Sequence, residues 1–177
     1  MADKYLKIKL KSGFTLMELL LYLSVLLIMS VILANTFLLI NKGGANVQAK
    51  SELNSNFTFI NAKIKRDILL ATALTTPATA GATSSVLDLT VEGQSIKYTL
   101  SGNRITRQIN SQPAEYISSD FVKINDLQFT RSENSNSVLG KKRVGVEIDF
   151  SGAYNSTSPE LNYTQSQKTT INLNQDF

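Results

Sequence analysis

Apolar residues are distributed very unevenly along this chain. Between Phe14 and Ile40, 21 of 27 residues are apolar, and Glu18 is the single charged residue from Ser12 to Asn41. About 20 apolar residues in an α-helix cross a hydrocarbon core that is about 30 Å thick. The pattern therefore predicts a membrane-spanning helix at residues 14–40.

A helical pattern of a different kind follows this run. Apolar residues recur at three- and four-residue spacings among charged and polar ones, which is typical of an amphipathic helix packed on a core. The apolar positions are Val47, Leu53, Phe57, Ile60, Ile64 and Ile68. We predict that residues 41–75 continue the first helix, that Gly43-Gly44 weakens or bends it, and that it ends in the run Ala71–Ser85. A coiled-coil seam is the alternative, but six positions are few for one.

Residues 76–177 show the two-residue period of β-strands, separated by short turns that contain Gly. The predicted strands are Val86–Val91, Ser95–Leu100, Arg104–Ile109, Glu115–Ser118, Phe121–Arg131, Lys142–Phe150 and Thr164–Asn174. Alternation of apolar with small or charged residues from Val144 to Phe150 indicates a sheet with one face in solvent. The predicted fold class is α+β. A long N-terminal helix, with an apolar membrane half and an amphipathic half, packs on a C-terminal antiparallel β-sheet domain.

Composition removes several kinds of chemistry. The 177 residues include no Cys, no His and no Trp. The chain therefore has no disulfide, no thiolate nucleophile and no Ser-His-Asp arrangement. We expect no enzymatic activity, no catalytic residue and no cofactor.

Most of the positive charge lies before the apolar run. The formal net charge is +4, and residues 1–13 hold four Lys and one Asp. A basic flank of this kind stays on the cytoplasmic side, so the C-terminal domain is expected to be extracytoplasmic. Without residues 1–13, 14 basic and 13 acidic residues remain, a net charge of +1.

Three interpretations of the N-terminus compete. A secretory signal peptide has a shorter apolar run and small residues at a cleavage site after it, and this chain offers no convincing one. A plain signal anchor fits the length but leaves Glu18 unexplained, because a carboxylate in a helix core costs about 2.5–3.5 kcal/mol on insertion scales. The third interpretation, a processed membrane subunit, depends on the residues around Gly13.

The residues from 11 to 20, Lys-Ser-Gly-Phe-Thr-Leu-Met-Glu-Leu-Leu, resemble the N-terminal signature of type IV prepilins and the related pseudopilins. The resemblance implies that a prepilin peptidase cleaves between Gly13 and Phe14, and that Phe14 becomes an N-methylated N-terminal residue. Glu18 is then the fifth residue of the mature chain, as the family has it. Met17 stands where Ile or Val is commoner. The resemblance also implies a pilin-like fold.

Family knowledge further implies a role for Glu18 in filament assembly, as the partner of a neighbouring subunit's N-terminal amine. The physics agrees, because an α-amino group is ionised at neutral pH and two charges that pair avoid being placed in lipid alone. A carboxylate in the first helical turn also complements the helix dipole, and both roles are compatible.

The function implied is that of a structural subunit, a minor pilin or pseudopilin, of a type IV pilus-like filament. Its partners would be the prepilin peptidase, other pilin or pseudopilin subunits, the inner-membrane assembly platform and membrane lipid, first as a single-pass inner-membrane protein and then in the filament. Residues 103–108 and 118–129 also look loosely like parts of minor pilin and pseudopilin C-terminal domains. The filament could belong to a pilus, a type II secretion pseudopilus or a competence system. The alternative is a signal-anchored extracytoplasmic binding domain that does not polymerise.

Two further candidates lie in the β-rich domain at residues 76–177. Glu133, in a predicted loop at Ser132–Ser137, is the only carboxylate there, so we expect no metal at this position. Lys141-Lys142-Arg143 could contact DNA by sequence-independent attraction to phosphate. A solvated strand start is the simpler interpretation of these three residues, and DNA stays an unsupported partner.

Overall fold

The computed structural model describes residues 13–136, 138, 141–158 and 161–176. Residues 1–12 of the predicted leader lie outside them. The described chain forms one long helix followed by strands, and it divides into two compact units after Gly44. The elements are α1 (Leu16–Leu70), β1 (Ala71–Thr76), β2 (Thr83–Ser84), β3 (Leu87–Val91), β4 (Gln94–Ser101), β5 (Arg104–Ile109), β6 (Glu115–Tyr116), β7 (Val122–Asn136), β8 (Lys141–Tyr154) and β9 (Thr164–Asp176).

The helix α1 fits both sequence patterns in turn. Its apolar residues up to Ile40 are exposed, whereas its later part buries one stripe, in agreement with the amphipathic prediction. The buried apolar residues of that stripe are Ala49, Leu53, Phe57, Ile60, Ile64 and Ile68. Val47 was predicted to belong to it, but its side chain is 68% exposed. Ala49 takes the buried position instead.

The end of α1 differs from the prediction. The helix ends at Leu70, five residues before the expected boundary at residue 75, and β1 begins at once. Ala71 is buried and pairs with Val91 of β3. Ladder hydrogen bonds to β3 therefore replace the helical ones. The run Ala71–Ser85, interpreted as a helix terminus, contains β1 and β2.

The first sheet has five antiparallel strands in the order β1-β3-β4-β5-β6. The predicted meander of β3, β4 and β5 is present, with each strand end within one residue of its expected place. Its two turns use left-handed backbone: φ is 50° at Glu92 and 78° at Gly93, and 61° at Gly102. Positive φ costs little at glycine, which explains Gly93 and Gly102 in these turns.

The second sheet has the order β2-β7-β8-β9, also antiparallel. Val144, Val146, Ile148 and Phe150 are buried while Glu147 and Asp149 are partly exposed, as the alternation predicted. Gly145, expected on the solvent face, is buried instead, because the side chains of Ser132 and Asn172 cover it. The sequence suggested one modest sheet. The structure has two sheets instead, and both contribute buried residues to one core together with the second part of α1. The coarse fold, α+β with a long N-terminal helix and an antiparallel β domain, is confirmed.

Candidate functional site

Gly13 and Phe14, the predicted processing residues, precede the helix and are exposed. A Cβ atom built on Gly13 meets nothing within 4 Å in the part of the chain that the structure describes. No contact within the described chain therefore requires a glycine at this position. Phe14 is 73% exposed, so both residues of the Gly13–Phe14 pair are accessible among the described residues.

Thr15 begins the helix as its N-cap. The backbone N–H of Glu18 donates to Thr15 Oγ1 at 3.3 Å, and the N–H of Leu19 donates to the Thr15 carbonyl at 3.1 Å. A Thr side chain at this position satisfies one of the free donors of the first turn. Thr15 and Glu18 also have the spacing of a capping box. Glu18 thus lies in the first turn, as its predicted cap role requires.

The carboxylate of Glu18 has a side-chain partner that the sequence analysis missed. The hydroxyl of Tyr22 donates to Glu18 Oε1 at 3.4 Å. The Tyr22 ring also meets the Phe14 ring edge-on, with centroids 5.8 Å apart and an angle of 73° between the planes. Tyr22 follows Glu18 by four residues, and side chains at this spacing share a helix face. The four-residue spacing could have predicted this contact, but within the apolar run the sequence pattern treats Tyr22 as one apolar residue among many.

Phe14, Glu18 and Tyr22 therefore form one exposed face over the first two turns of α1. We call these three residues the N-terminal triad. The rest of the apolar segment up to Ile40 is exposed as well, and its most apolar 18-residue stretch has no buried residue. By length and composition this segment fits a transmembrane helix, the one candidate span among the described residues. Such a surface requires lipid or other protein around it.

A second polar cluster is buried in the domain. Asp67 Oδ2, on α1, accepts hydrogen bonds from the Tyr98 hydroxyl at 2.5 Å and from Arg107 Nε at 2.8 Å. Burial, followed by the hydrogen bond to Asp67, raises the pKa of Tyr98 far above its ordinary value. Burial opposes the charge of Arg107, but the contacts with Asp67 and Tyr98 outweigh it and raise the pKa of the guanidinium. The cluster joins α1 to β4 and β5.

The structure corrects the loop predicted at Ser132–Ser137. Residues up to Asn136 belong to β7, and Ser137 lies outside the described residues. Glu133 contacts Arg131 Nη2 at 2.7 Å and Lys142 Nζ at 2.5 Å. The hydrogen bond from Lys142 is the largest of the effects that lower the pKa of Glu133. The carboxylate is thus already held by two cations.

The basic residues at 141–143 begin β8, in agreement with their interpretation as a strand start. Lys142 contacts Glu133, as above, so part of this charge is neutralised within the sheet. Among the described residues, no group of three or more acidic side chains lies close enough to hold a metal ion. Comparisons of the chain with protein-family models, with curated proteins and with solved structures found no match.

Proposed function

We propose that this chain is a structural subunit, a minor pilin or pseudopilin, of a type IV pilus-like filament. A prepilin peptidase cleaves it between Gly13 and Phe14, the new amine of Phe14 is methylated, and the apolar half of α1 joins other subunits. The strongest support for this proposal is the position of Gly13, Phe14 and Glu18 relative to the helix. The Gly-Phe pair and the carboxylate four residues after Phe14 lie at the very start of a fully exposed apolar helix.

The exposure of Gly13 supports processing at this bond. Because nothing in the described chain requires a glycine there, its presence is explained by an external partner with room only for a residue without a side chain. The peptide bond also precedes the helix, so a peptidase need not unwind hydrogen-bonded backbone to reach it. Cleavage places a positive amine four residues before Glu18.

The surroundings of Glu18 support an assembly role. Within the described residues its carboxylate accepts one side-chain hydrogen bond, from Tyr22, and forms no ion pair. A carboxylate placed in lipid needs a charged partner to offset the loss of hydration. The amine of a neighbouring subunit supplies that charge when the helices stack, and so brings the subunits into register.

The second part of α1 offers further surface to neighbouring subunits. Val47, Phe59 and Leu69 are 68%, 56% and 41% exposed, on the side of the helix that does not pack on the sheets. Filament packing would cover this face. In this proposal the prepilin peptidase, other subunits and the inner-membrane assembly platform are the partners, and the domain performs no catalysis.

The processing step is tested by making the full chain together with its own peptidase and measuring the intact mass and the N-terminal residue. We expect a chain that starts at methylated Phe14. A chain that retains Met1 and the complete leader contradicts the proposal, and supports instead a signal-anchored binding domain. Gly13→Val is the matched variant. It disturbs no packing in the described chain, and we expect it to remain uncleaved because the peptidase has no room for the Val side chain.

The assembly role is tested with Glu18→Ala. Loss of one partner of a buried charge pair costs about 3–5 kcal/mol, so incorporation into filaments should fall about a hundredfold or more. The control is Ser24→Ala, which removes a hydroxyl that donates to the Leu21 carbonyl of its own helix. Processed Glu18→Ala subunits that enter filaments at the normal level would remove the assembly role.

A further inference from the structure

The strand β9 forms one edge of the second sheet and differs from the strands at the other sheet edges. The edge strands β2 and β6 contain two residues each, and β1 contains six residues with two register shifts against β3. Short or irregular edge strands offer little unpaired backbone to another chain. β9 has 13 residues, and its ladder with β8 runs without a shift from Thr164 to Asn172. Among the described strands it is the long and regular edge.

The backbone of β9 is open on the side away from β8. No strand or turn of the described chain pairs with β9 there. Alternate residues of an antiparallel strand direct their N–H and C=O groups away from the neighbouring strand. Lys168, the one charged residue from Thr164 to Asn172, does not shield this edge, because its Nζ lies 2.8 Å from Glu147 Oε1 on β8. Leu74 of β1 meets β9 near Leu173, where both line one cleft.

Two buried oxygen atoms beside this edge have no hydrogen-bond partner within the described chain. They are Oε1 of Gln165, on β9, and Oδ1 of Asn61, on α1. Asn61 lies next to β9, because its Nδ2 donates to Thr169 Oγ1 at 3.5 Å. Gln165 and Thr169 are four residues apart and therefore on the same face of the strand. Since buried polar atoms are normally satisfied, these two acceptors are explained by a partner that brings hydrogen-bond donors.

The side of α1 next to β9 carries positive charge. Lys50, Asn54, Asn61 and Lys65 follow one another at spacings of four, seven and four residues, which places them along one side of the helix. Lys50 Nζ lies 5.1 Å from the ring centroid of Tyr163, the residue before β9. We call Thr164 to Thr170 of β9, together with Lys50, Asn61 and Lys65 of α1, the β9 edge site.

The charge of the two lysines is not balanced by the acidic residues of this part of the helix. From Lys50 to Leu70, α1 has four basic and two acidic residues. Both acidic residues are engaged elsewhere. Glu52 Oε1 accepts from Asn56 Nδ2 at 3.1 Å, and Asp67 is buried in its contacts with β4 and β5. The β9 edge site therefore combines free backbone on the strand with positive charge on the helix.

We propose that the β9 edge site binds an acidic, extended segment of another protein, which adds to the second sheet as a further strand. Main-chain hydrogen bonds to alternate residues of β9 give the affinity, and donors of the added segment satisfy Asn61 Oδ1 and Gln165 Oε1. Lys50 and Lys65 are 15 residues apart, about 22 Å along the helix, and six residues of strand span about 20 Å. Two acidic residues six positions apart on the segment share one face and can reach one lysine each.

The occupant is a different protein and not the β9 strand of a second copy. A twofold pair of β9 strands brings the same residues together from both copies. From Thr164 to Asn172, β9 has no acidic residue that could pair with Lys50 or Lys65. The inference depends neither on cleavage after Gly13 nor on filament assembly, so it can fail separately from the proposed function.

The probe for this site is a capped nine-residue peptide of Thr and Val with Glu at its second and eighth positions, added at low ionic strength to the full-length chain in detergent. Amide hydrogen exchange is measured along β9, and binding is measured by calorimetry. We expect the peptide to slow exchange at alternate residues from Thr164 to Thr170, because those N–H groups gain acceptors.

Two N-methylated forms of the same peptide distinguish strand addition from attraction by charge. One form carries methyl groups on its odd-numbered amides and the other on its even-numbered amides. An added strand pairs through one of its two edges, so one form should bind like the unmethylated peptide. The other loses several hydrogen bonds of about 0.5–1.5 kcal/mol each, and its affinity should fall about tenfold or more.

Lysine variants test the helix side of the site. Lys50→Gln and Lys65→Gln should each weaken binding of the peptide about twofold to fivefold, as expected for one exposed ion pair. Lys63→Gln is the matched control and should leave binding unchanged, because Lys63 is two residues from Lys65 and therefore on a different side of the helix.

The inference is overturned if the unmethylated peptide leaves exchange in β9 unchanged, or if the two methylated forms bind equally. An equal loss of binding in Lys63→Gln and Lys65→Gln also overturns it, since the peptide is then attracted by the net charge of the helix. Protection of residues 164–170 that grows with protein concentration in the absence of peptide identifies a second copy as the occupant, and contradicts the proposal in the same way.

Discussion

The two parts of α1 have the same backbone structure and opposite surfaces. From Phe14 to Ile40 the large apolar side chains are exposed, whereas from Ala49 to Ile68 one stripe of them is fully covered by the sheets. In the first part, apolar residues surround the helix on every side. In the second part, polar residues occupy the uncovered faces, apart from a few exposed apolar side chains such as Phe59.

The difference shows that helix formation and burial are separate problems in this chain. The second part obtains its stability from packing on the β domain, as amphipathic helices generally do. The first part has no such partner within its own unit, so its exposed apolar side chains are suited to lipid or to an apolar protein surface. Glu18 is the one charge in that part, which is why its partner matters more than the partners of charges in the domain.

The largest expected effect comes from making the same substitution in each part. Leu53→Ala empties a fully buried position, and we expect it to lower the free energy of unfolding of the domain by about 2–5 kcal/mol. Leu26→Ala, at a position that is 63% exposed, should change it by no more than about 0.5 kcal/mol. Denaturant unfolding of both variants in the same detergent measures the two changes in the free energy of unfolding. Similar losses would show that the two parts share one core.

A smaller effect is expected at the buried polar contact between α1 and the first sheet. Tyr98→Phe removes a hydrogen bond to the carboxylate of Asp67. Because hydrogen bonds to charged groups stabilise the folded state by about 1.5–3 kcal/mol, we expect the free energy of unfolding of the domain to fall by that amount in denaturant unfolding. Tyr116→Phe is the control. It also removes one Tyr hydroxyl, but Tyr116 is 55% exposed, so the core is unchanged.

The same pair of variants tests a pH dependence. The pKa of Tyr98 is raised in the native state by burial and by its hydrogen bond to Asp67. Above pH 10 the unfolded chain releases this proton while the native chain keeps it, so the stabilisation is complete below pH 10 and declines as the pH rises further. The stability difference between the unsubstituted chain and Tyr98→Phe should therefore narrow between pH 10 and 11.5. A constant difference would contradict the assignment.

The sequence predicted those elements whose signals are local. The strands β3, β4 and β5 were placed within one residue because Gly-containing turns and strict alternation mark their ends. β1 and β2 were missed. Ala71–Thr76 consists of Ala and Thr around a single Leu, and its strand character comes from pairing with β3, in which Ala71 pairs with Val91 and Thr76 with Asp88. Pairing of this kind leaves no periodic pattern in the strand itself.

The candidate sites divide in the same way. Gly13, Phe14 and Glu18 follow one another closely and could be recognised as a motif, and Tyr22 could have been added from its four-residue spacing. Asp67, by contrast, lies among the charged residues of an amphipathic helix and resembles a solvated one. Its partners are 31 and 40 residues away, so only the folded chain shows that it is buried.

The smallest expected effect sharpens the boundary between the two parts. Gly43 and Gly44 lie within α1, a Cβ at either would meet nothing within 4 Å, and neither has a positive φ. Glycine costs an α-helix about 1 kcal/mol relative to alanine, so replacing both by Ala should slow local hydrogen exchange there by about fivefold or more for each residue. Ser51→Ala, at an exposed position about two turns later, should leave exchange at the glycines unchanged. If the amides at residues 43 and 44 exchange as slowly in the unsubstituted chain as in the variant with both Ala substitutions, the glycines do not weaken the helix. The two parts of α1 would then differ only in what surrounds them.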